Sequence, residues 1–316
     1  MRQELVGRDP EIAVLADCLA AAIGGRPQLV MCRGEPGIGK TRLTEELSSS
    51  AASAGVAVAW GRGVDAAGAP AYWPWRQALR DVSVGVDVAA IAEEHRLSAD
   101  LARLAPEVFG GAAERADVGG SAEDRFRQFD AVGRLLRLVT GRRPLVIVLD
   151  DAHWADRPSL LLLQQLARMM TDERLLIVVN HRDTEPVPAL LVTDLLREPV
   201  TRRVELRGLS APAVGAQLAA LVGHQVADVE VARVHALTGG NPFFVAEMGQ
   251  VLADRPAGAS PPIAASVREA IGGRLNRLSA PAGRSLRAAS IVGAEFSVPI
   301  VAPMVDIPVM ACLASR

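Results

Sequence analysis

"RGEPGIGKTR", residues 33–42, holds the only lysine of a 316-residue chain that carries the rest of its basic charge as arginine. Arginine is a broad planar fork, whereas lysine is a compact ammonium on a slim stem that can enter a narrow cradle. A lysine kept at one position alone points to a place where the two are not interchangeable, and the neighbouring residues describe such a place. Gly34, Gly39, Lys40 and Thr41 satisfy G-x-x-x-x-G-K-[ST], the phosphate-binding loop. Gly37 and Gly39 permit positive φ and close backbone approach, so successive N–H groups can converge on phosphate oxygens. Pro36 stiffens the turn, and Glu35, Ile38 and Arg42 complete the loop residues expected around the ligand. Upstream, "QLVMC" (28–32) is a short apolar run with strand character. Downstream, "KTRLTEELSSSAASAG" reads as a helix from Lys40 to near Gly55, with the positive end of its dipole at the phosphates.

Such a loop needs a carboxylate for Mg²⁺ at the end of a buried strand. "RPLVIVLDDAHWAD" (143–156) supplies one: a continuous apolar run, as in a parallel strand covered on both faces, leads straight into Asp150 and Asp151. Asp150 is expected to hold Mg²⁺ together with the Thr41 hydroxyl, and Asp151 to orient or deprotonate the attacking water. The alternative, that one of the pair merely caps the following helix, competes with Asp156, which is better placed for capping beside Pro158. Together the two stretches imply that the chain binds a nucleoside triphosphate.

Composition bounds the remainder. Half the residues are apolar, ample for a core, and the length suggests about two domains. A net charge of -2 gives no global attraction to nucleic acid or anionic membrane. Cys18, Cys32 and Cys312 are far apart and predict reduced thiols, while the five histidines show no metal-ligand spacing. No apolar signal core opens the chain and no uninterrupted 18-residue apolar span follows, so a soluble cytoplasmic protein without a membrane partner is expected.

Strand and helix signals alternate up to about residue 208. A helix runs from Asp9 to Gly24, a second strand covers Gly55 to Trp60, helices cover 122–140 and 158–170, and strands lie at 174–180 and 202–208. Residues 61–122 lack steady periodicity and read as an insertion of short helices. Within it Tyr72, Trp73 and Trp75 crowd one stretch, better explained as an apolar plug than as a stacking platform. After Ser210 the pattern is wholly helical, and 253–262 is a linker candidate. The fold class expected is α/β, a P-loop NTPase with a mostly parallel sheet and helices on both faces.

The ordered motifs resemble those of STAND-class P-loop ATPases, in particular the ATPase segment of large LuxR-type (MalT-like) bacterial regulators, and of Orc1-like AAA ATPase domains. "LVGRDPEI", "GEPGIGKTRL", "YWPW", "VLDDAHWAD", "NHRDTE", "TGGNPFFVAE" and "SVREAIGGRLNRLS" occur here in that family's order. The resemblance implies an ATPase domain over 1–208, a helical lid over 209–255 and an incomplete winged helix over 256–316. It implies that Val6, Gly7 and Arg8 line the adenine pocket, that Arg182 faces the γ-phosphate, and that Pro242 in the lid presses on the base and reports nucleotide state. From the residues alone, 239–242 reads equally as a helix-ending turn. Two positions depart from the pattern: His181 precedes Arg182 where an aromatic residue is more usual, and Ala213 leaves the Ser210 capping box incomplete.

The function this implies is a switch operated by ATP, ADP and Mg²⁺ with slow hydrolysis, inside a transcription regulator whose sensor and DNA-reading parts are not in this sequence. Alternatives are a DNA-acting AAA+ ATPase and a non-hydrolysing ATP-binding interaction module, including the kind that accompanies adenylyl cyclases. Self-association through the ATPase domain is expected. Direct DNA binding is not, because Arg268, Arg274, Arg277, Arg284 and Arg287 form only a short basic run that reads as a solvated helix face.

Overall fold

The computed structural model describes residues 5–65, 69–110, 121–182 and 194–253, and beyond these 283, 284, 286–288 and 290. Helix α1 (Asp9–Ile23), strand β1 (Gln28–Arg33), helix α2 (Lys40–Ser53) and strand β2 (Ala57–Arg62) come first. Helices α3 (Trp73–Gly85), α4 (Val88–Glu94), α5 (Ser98–Leu104), α6 (Pro106–Phe109) and α7 (Ala122–Arg142) follow. Strand β3 (Leu145–Asp150), helix α8 (Arg157–Met169) and strands β4 (Leu175–His181) and β5 (Thr201–Glu205) complete the α/β part. Helices α9 (Ala211–Val222), α10 (Asp228–Thr238) and α11 (Pro242–Ala253) then form a helical unit.

The strands make one parallel sheet in the order β2-β3-β4-β1-β5. Because every strand runs the same way, the loop after β1 and the ends of β3 and β4 open along one edge, with β4 seated between the other two. Alternation along β3 divides the core. Leu145, Ile147 and Leu149 pack on the face covered by α3, α7 and α8, while Val146 and Val148 pack on the face covered by α1 and α2. Burial on both faces accounts for the unbroken apolar run of β3 and for that of β4.

The stretch read as an insertion is helical and tied down by its aromatic cluster. Trp75 is fully buried and its indole N–H donates to the Ser159 carbonyl at 3.0 Å. The Tyr72 ring meets Phe129 edge-on at 6.2 Å between centroids. Both contacts fasten α3 to the helices over the sheet, as a plug does. One boundary differs from expectation. β2 continues past Trp60 through Gly61 and Arg62, because its ladder with β3 runs on to the pair Arg62–Asp150. A local sequence pattern does not register a partner strand about 90 residues away, and by pattern alone these two residues fall in the insertion.

The α9–α11 unit has its own core, built on Val214, Leu218, Val234, Val245 and Met248, and Val6 from the amino-terminal segment packs against it. Ser210 precedes α9 without a side-chain cap bond. Ala213, at the position where the acidic partner is missing, packs against Gly7, on which a Cβ would lie 2.5 Å from that of Ala213. Most of the expected linker, of the winged helix and of the basic run, and Cys312, lie outside the described residues.

Candidate functional site

The phosphate loop is wound by two left-handed glycines, Gly37 (φ 80°) and Gly39 (φ 103°), the second of which leads directly into α2. Lys40, 7 % exposed, turns back into the loop and donates from Nζ to the carbonyls of Gly34 at 2.7 Å and Glu35 at 2.9 Å. Beneath the loop, burial pushes the Cys32 thiol up to about 12, so it stays protonated and chemically quiet.

Thr41 and Asp150, 109 positions apart, meet as the sheet order dictates. The Thr41 hydroxyl lies 3.2 Å and 3.1 Å from the two carboxylate oxygens of Asp150, which is 2 % exposed. Asn180, wholly buried at the end of β4, donates from Nδ2 to Asp150 Oδ1 at 2.9 Å and to Thr44 Oγ1 at 3.0 Å. Arg62 at the end of β2 donates to Asp150 Oδ2 at 3.1 Å. A buried carboxylate needs such partners to remain tolerable. Among the described residues no group of three or more His, Cys, Asp or Glu converges as a metal cage. The oxygen pair of Thr41 and Asp150 nevertheless fits Mg²⁺, which binds through one or two protein oxygens and completes its shell with phosphate and water.

Asp151 follows at φ 51°, a left-handed geometry uncommon for a residue with a side chain. Burial, and then the charge of Asp150, push its carboxyl pKa up, against the opposing pull of Arg182, Arg62 and Lys40. Capping of the next helix falls to Asp156, whose Oδ1 accepts from the Ser159 N–H at 2.9 Å. Arg182 does not point freely into the site. Its guanidinium carbon lies 4.6 Å above the Trp154 ring centroid, a cation–π contact. His181 before it is buried, and that burial lowers its pKa, so a neutral ring occupies the place of the more usual aromatic.

The helical unit reaches the loop through the start of its last helix, α11. Asn241, 3 % exposed, donates from Nδ2 to the Pro36 carbonyl at 3.1 Å and accepts at Oδ1 from the Phe243 N–H at 3.2 Å. The Phe243 N–H also points at the Gly37 carbonyl, 3.3 Å away. Gly37 has no space for a side chain, since a Cβ would sit 2.9 Å from that of Phe243. Val6, Arg8, Ile38, Gly39, Arg42 and Pro242 line one cavity of about 130 Å³ between loop and helices. Arg8 crosses its floor, donating to the Ile38 carbonyl at 2.9 Å and pairing with Glu11 at 3.3 Å. Gln217 holds the Pro242 carbonyl at 2.9 Å.

A family model described as an AAA ATPase domain matches residues 4–179, more than half of the chain. The chain belongs to the AAA ATPase domain family. Among solved structures it is similar to a Walker-type ATPase of Pyrococcus abyssi, at 15 % identity and a TM-score of 0.54, covering 99 % of this chain and 90 % of that one. It is also similar to the Orc1 protein of Aeropyrum pernix, solved in complex with DNA, at 17 % identity and a TM-score of 0.47 over 99 % of this chain and 82 % of that one. A third is a STAND protein with a tetratricopeptide repeat sensor from Pyrococcus horikoshii, at 14 % identity and a TM-score of 0.47. The AAA chain is covered completely in that comparison and spans 39 % of the STAND protein's length. No curated protein matches it. Among the described residues no helix is long and apolar enough to cross a membrane.

The loop residues, Thr41, Asp150 and the cavity-lining residues with Pro242 are contiguous, Asp151 follows Asp150 in the chain, and the charge of Arg182 is felt at Asp151. Sequence reading passed over Arg62, Asn180, Gln217 and the bonds of Asn241. Asn180 alone left a signal, the first polar residue after the apolar run of its strand.

Proposed function

We propose that the chain is an ATP-binding, slowly ATP-hydrolysing switch module of a signal-responsive transcription regulator, working in the cytoplasm and self-associating through its ATPase domain. The observation that carries the switch is the seating of Asn241 and Phe243 on the carbonyls of Pro36 and Gly37. A loop that changes when phosphate binds must pass the change to those helices. The regulator half of the proposal rests on the ordered motifs that resemble the LuxR-type group.

In this reading Lys40 exchanges the Gly34 and Glu35 carbonyls for phosphate oxygens. Thr41 and Asp150 hold Mg²⁺, which when bound offsets the negative charge of the phosphates. Asn180 keeps the Asp150 carboxylate turned towards Thr41. Asp151 accepts the proton of the attacking water, and its raised pKa makes it a better base than an ordinary aspartate. Arg182 leaves Trp154 to face the γ-phosphate, where its fork suits an oxyanion. Val6, Ile38 and Pro242 take the adenine in the cavity they line. Turnover is slow because aspartate is one methylene shorter than the glutamate that serves as base in fast AAA+ enzymes.

Thermal shift of the full chain with ATP and Mg²⁺ tests the reading. Ligand at about a hundred times its dissociation constant stabilises a fold by roughly 2.7 kcal/mol. Lys40→Ala should abolish the gain and Lys40→Arg should remove most of it at equal charge. Absence of any ATP stabilisation in the wild type would overturn the proposal. Full stabilisation of Lys40→Arg would overturn the role given to the lone lysine.

A further inference from the structure

Arg62 has no part in the scheme above, yet the fold places it with care. Its Cα pairs directly with that of Asp150 across the β2–β3 ladder. The glycines on either side have no room for side chains: a Cβ on Gly61 would lie 1.9 Å from the Pro74 carbonyl oxygen, and one on Gly63 would lie 2.3 Å from that of Asp151. The Gly63 N–H donates to the Asp150 carbonyl at 2.9 Å, and Gln77 donates to the Arg62 carbonyl at 3.0 Å. The backbone of 61–63 is thereby fixed, with the Arg62 guanidinium against Asp150 Oδ2, an oxygen that also faces the Thr41 hydroxyl. The two partners differ in surroundings. Asp150 is 2 % exposed, whereas Arg62 is 57 % exposed and lies at the edge of an open cleft of about 610 Å³ whose wall includes Glu45. The arginine can therefore leave at little desolvation cost, into water and beside another carboxylate, while Asp150 cannot move.

From this asymmetry we infer that Arg62 is a built-in competitor for the Asp150 carboxylate. It neutralises Asp150 when no nucleotide is bound and must be displaced before a divalent cation can take Oδ2, so it raises the Mg²⁺ concentration that ATP binding requires. This rests on the reading of the site as one for ATP and Mg²⁺.

The experiment is ATP stabilisation of the full chain by thermal shift, titrated with Mg²⁺, in the wild type, Arg62→Gln, Arg62→Ala and Arg62→Lys. An exposed arginine paired with a carboxylate contributes about 0.2–1 kcal/mol. Half-saturation in Arg62→Gln should therefore fall at about 1.4- to five-fold less Mg²⁺ than in the wild type. Arg62→Ala should give the same reading, also serving if the glutamine variant does not fold, and Arg62→Lys should stay near the wild type because the competing charge remains. An unchanged or higher Mg²⁺ midpoint in both neutral variants overturns the inference and leaves the ATP reading intact. Loss of ATP stabilisation in them at saturating Mg²⁺ also overturns it, by making Arg62 a phosphate contact. A wild type that ATP does not stabilise at any Mg²⁺ concentration removes both readings together.

Discussion

Asn241→Ala tests whether the helical unit is held by the phosphate loop or merely lies beside it. The asparagine is 3 % exposed and makes two bonds, one to the Pro36 carbonyl and one from the Phe243 N–H. A typical buried hydrogen bond contributes about 1 kcal/mol net, so losing both should cost about 2 kcal/mol. Phe243 keeps the Gly37 carbonyl as a second acceptor, which limits the loss on that side. For a domain of this size each kcal/mol moves the melting temperature by roughly 2–4 °C, which predicts a drop of about 4–8 °C. The assay is thermal melting by circular dichroism, with limited proteolysis of the turn between α9 and α10 in the presence and absence of ATP and Mg²⁺. The wild type should be cut more slowly with ATP, and the variant should be cut at nearly the same rate in both conditions. Asn241→Asp should be no milder, because it sets a carboxylate against the Pro36 carbonyl in a buried place. Wild-type melting together with wild-type protection by ATP in Asn241→Ala would refute the reasoning, since the coupling would then run through other contacts.

Two further outcomes follow from the same geometry. Asp151→Asn should slow phosphate release and at the same time stabilise the fold. Folding raises the Asp151 pKa, so the ionised carboxylate is a cost to the native state that is absent below the ordinary aspartate range, grows as pH rises from there to the raised folded pKa and is complete above it. Urea melts should show the variant ahead of the wild type at neutral pH, with the advantage gone in acid; equal stability at both would contradict it. Gly37→Ala and Gly39→Ala both place a side chain at positive φ, a strain of about 1–2 kcal/mol each. Only the first meets an obstacle, with its Cβ 2.9 Å from Phe243 and 3.1 Å from Asn241, whereas a Cβ on Gly39 meets nothing within 4 Å. Gly37→Ala should therefore lose about 1–3 kcal/mol more in urea unfolding, and equal losses would count against close seating of the helices on the loop.

The parts of this molecule that local chemistry determines were legible. Glycines at 37 and 39, a lysine where a fork would not fit, and an apolar run ending in Asp150 each state their own conformation and surroundings. The sheet follows from them, because continuous apolar strands alternating with helices leave a parallel arrangement as the economical solution. What could not be read depends on pairs far apart in the chain. Arg62 faces Asp150 only because β2 lies next to β3, and nothing near residue 62 announces that neighbour. Asn241 sits in a stretch that serves equally well as a helix-ending turn, and its bond to Pro36 spans 205 positions. The stacking of Arg182 over Trp154 depends on a side-chain choice that no spacing encodes.

The bonds that seat the helices on the loop have a further consequence. Pro36 and Gly37 present carbonyls to Asn241 and Phe243, and each carbonyl belongs to the same rigid peptide plane as the N–H of the next residue, Gly37 or Ile38. The two groups point in opposite directions, so a plane that tilts its N–H towards an anion on one side swings its oxygen by the same angle on the other. On the proposed ATP reading the Pro36–Gly37 plane is a rocker whose two ends are read by different parts of the molecule, while the Ile38 N–H of the next plane is held within the loop by the Glu35 carbonyl at 3.3 Å. Neither end involves a side chain of the loop. Substitution at Glu35 or Ile38 can change how tightly a ligand is held without touching the lever itself, and the relay can outlast considerable drift in the letters that spell it.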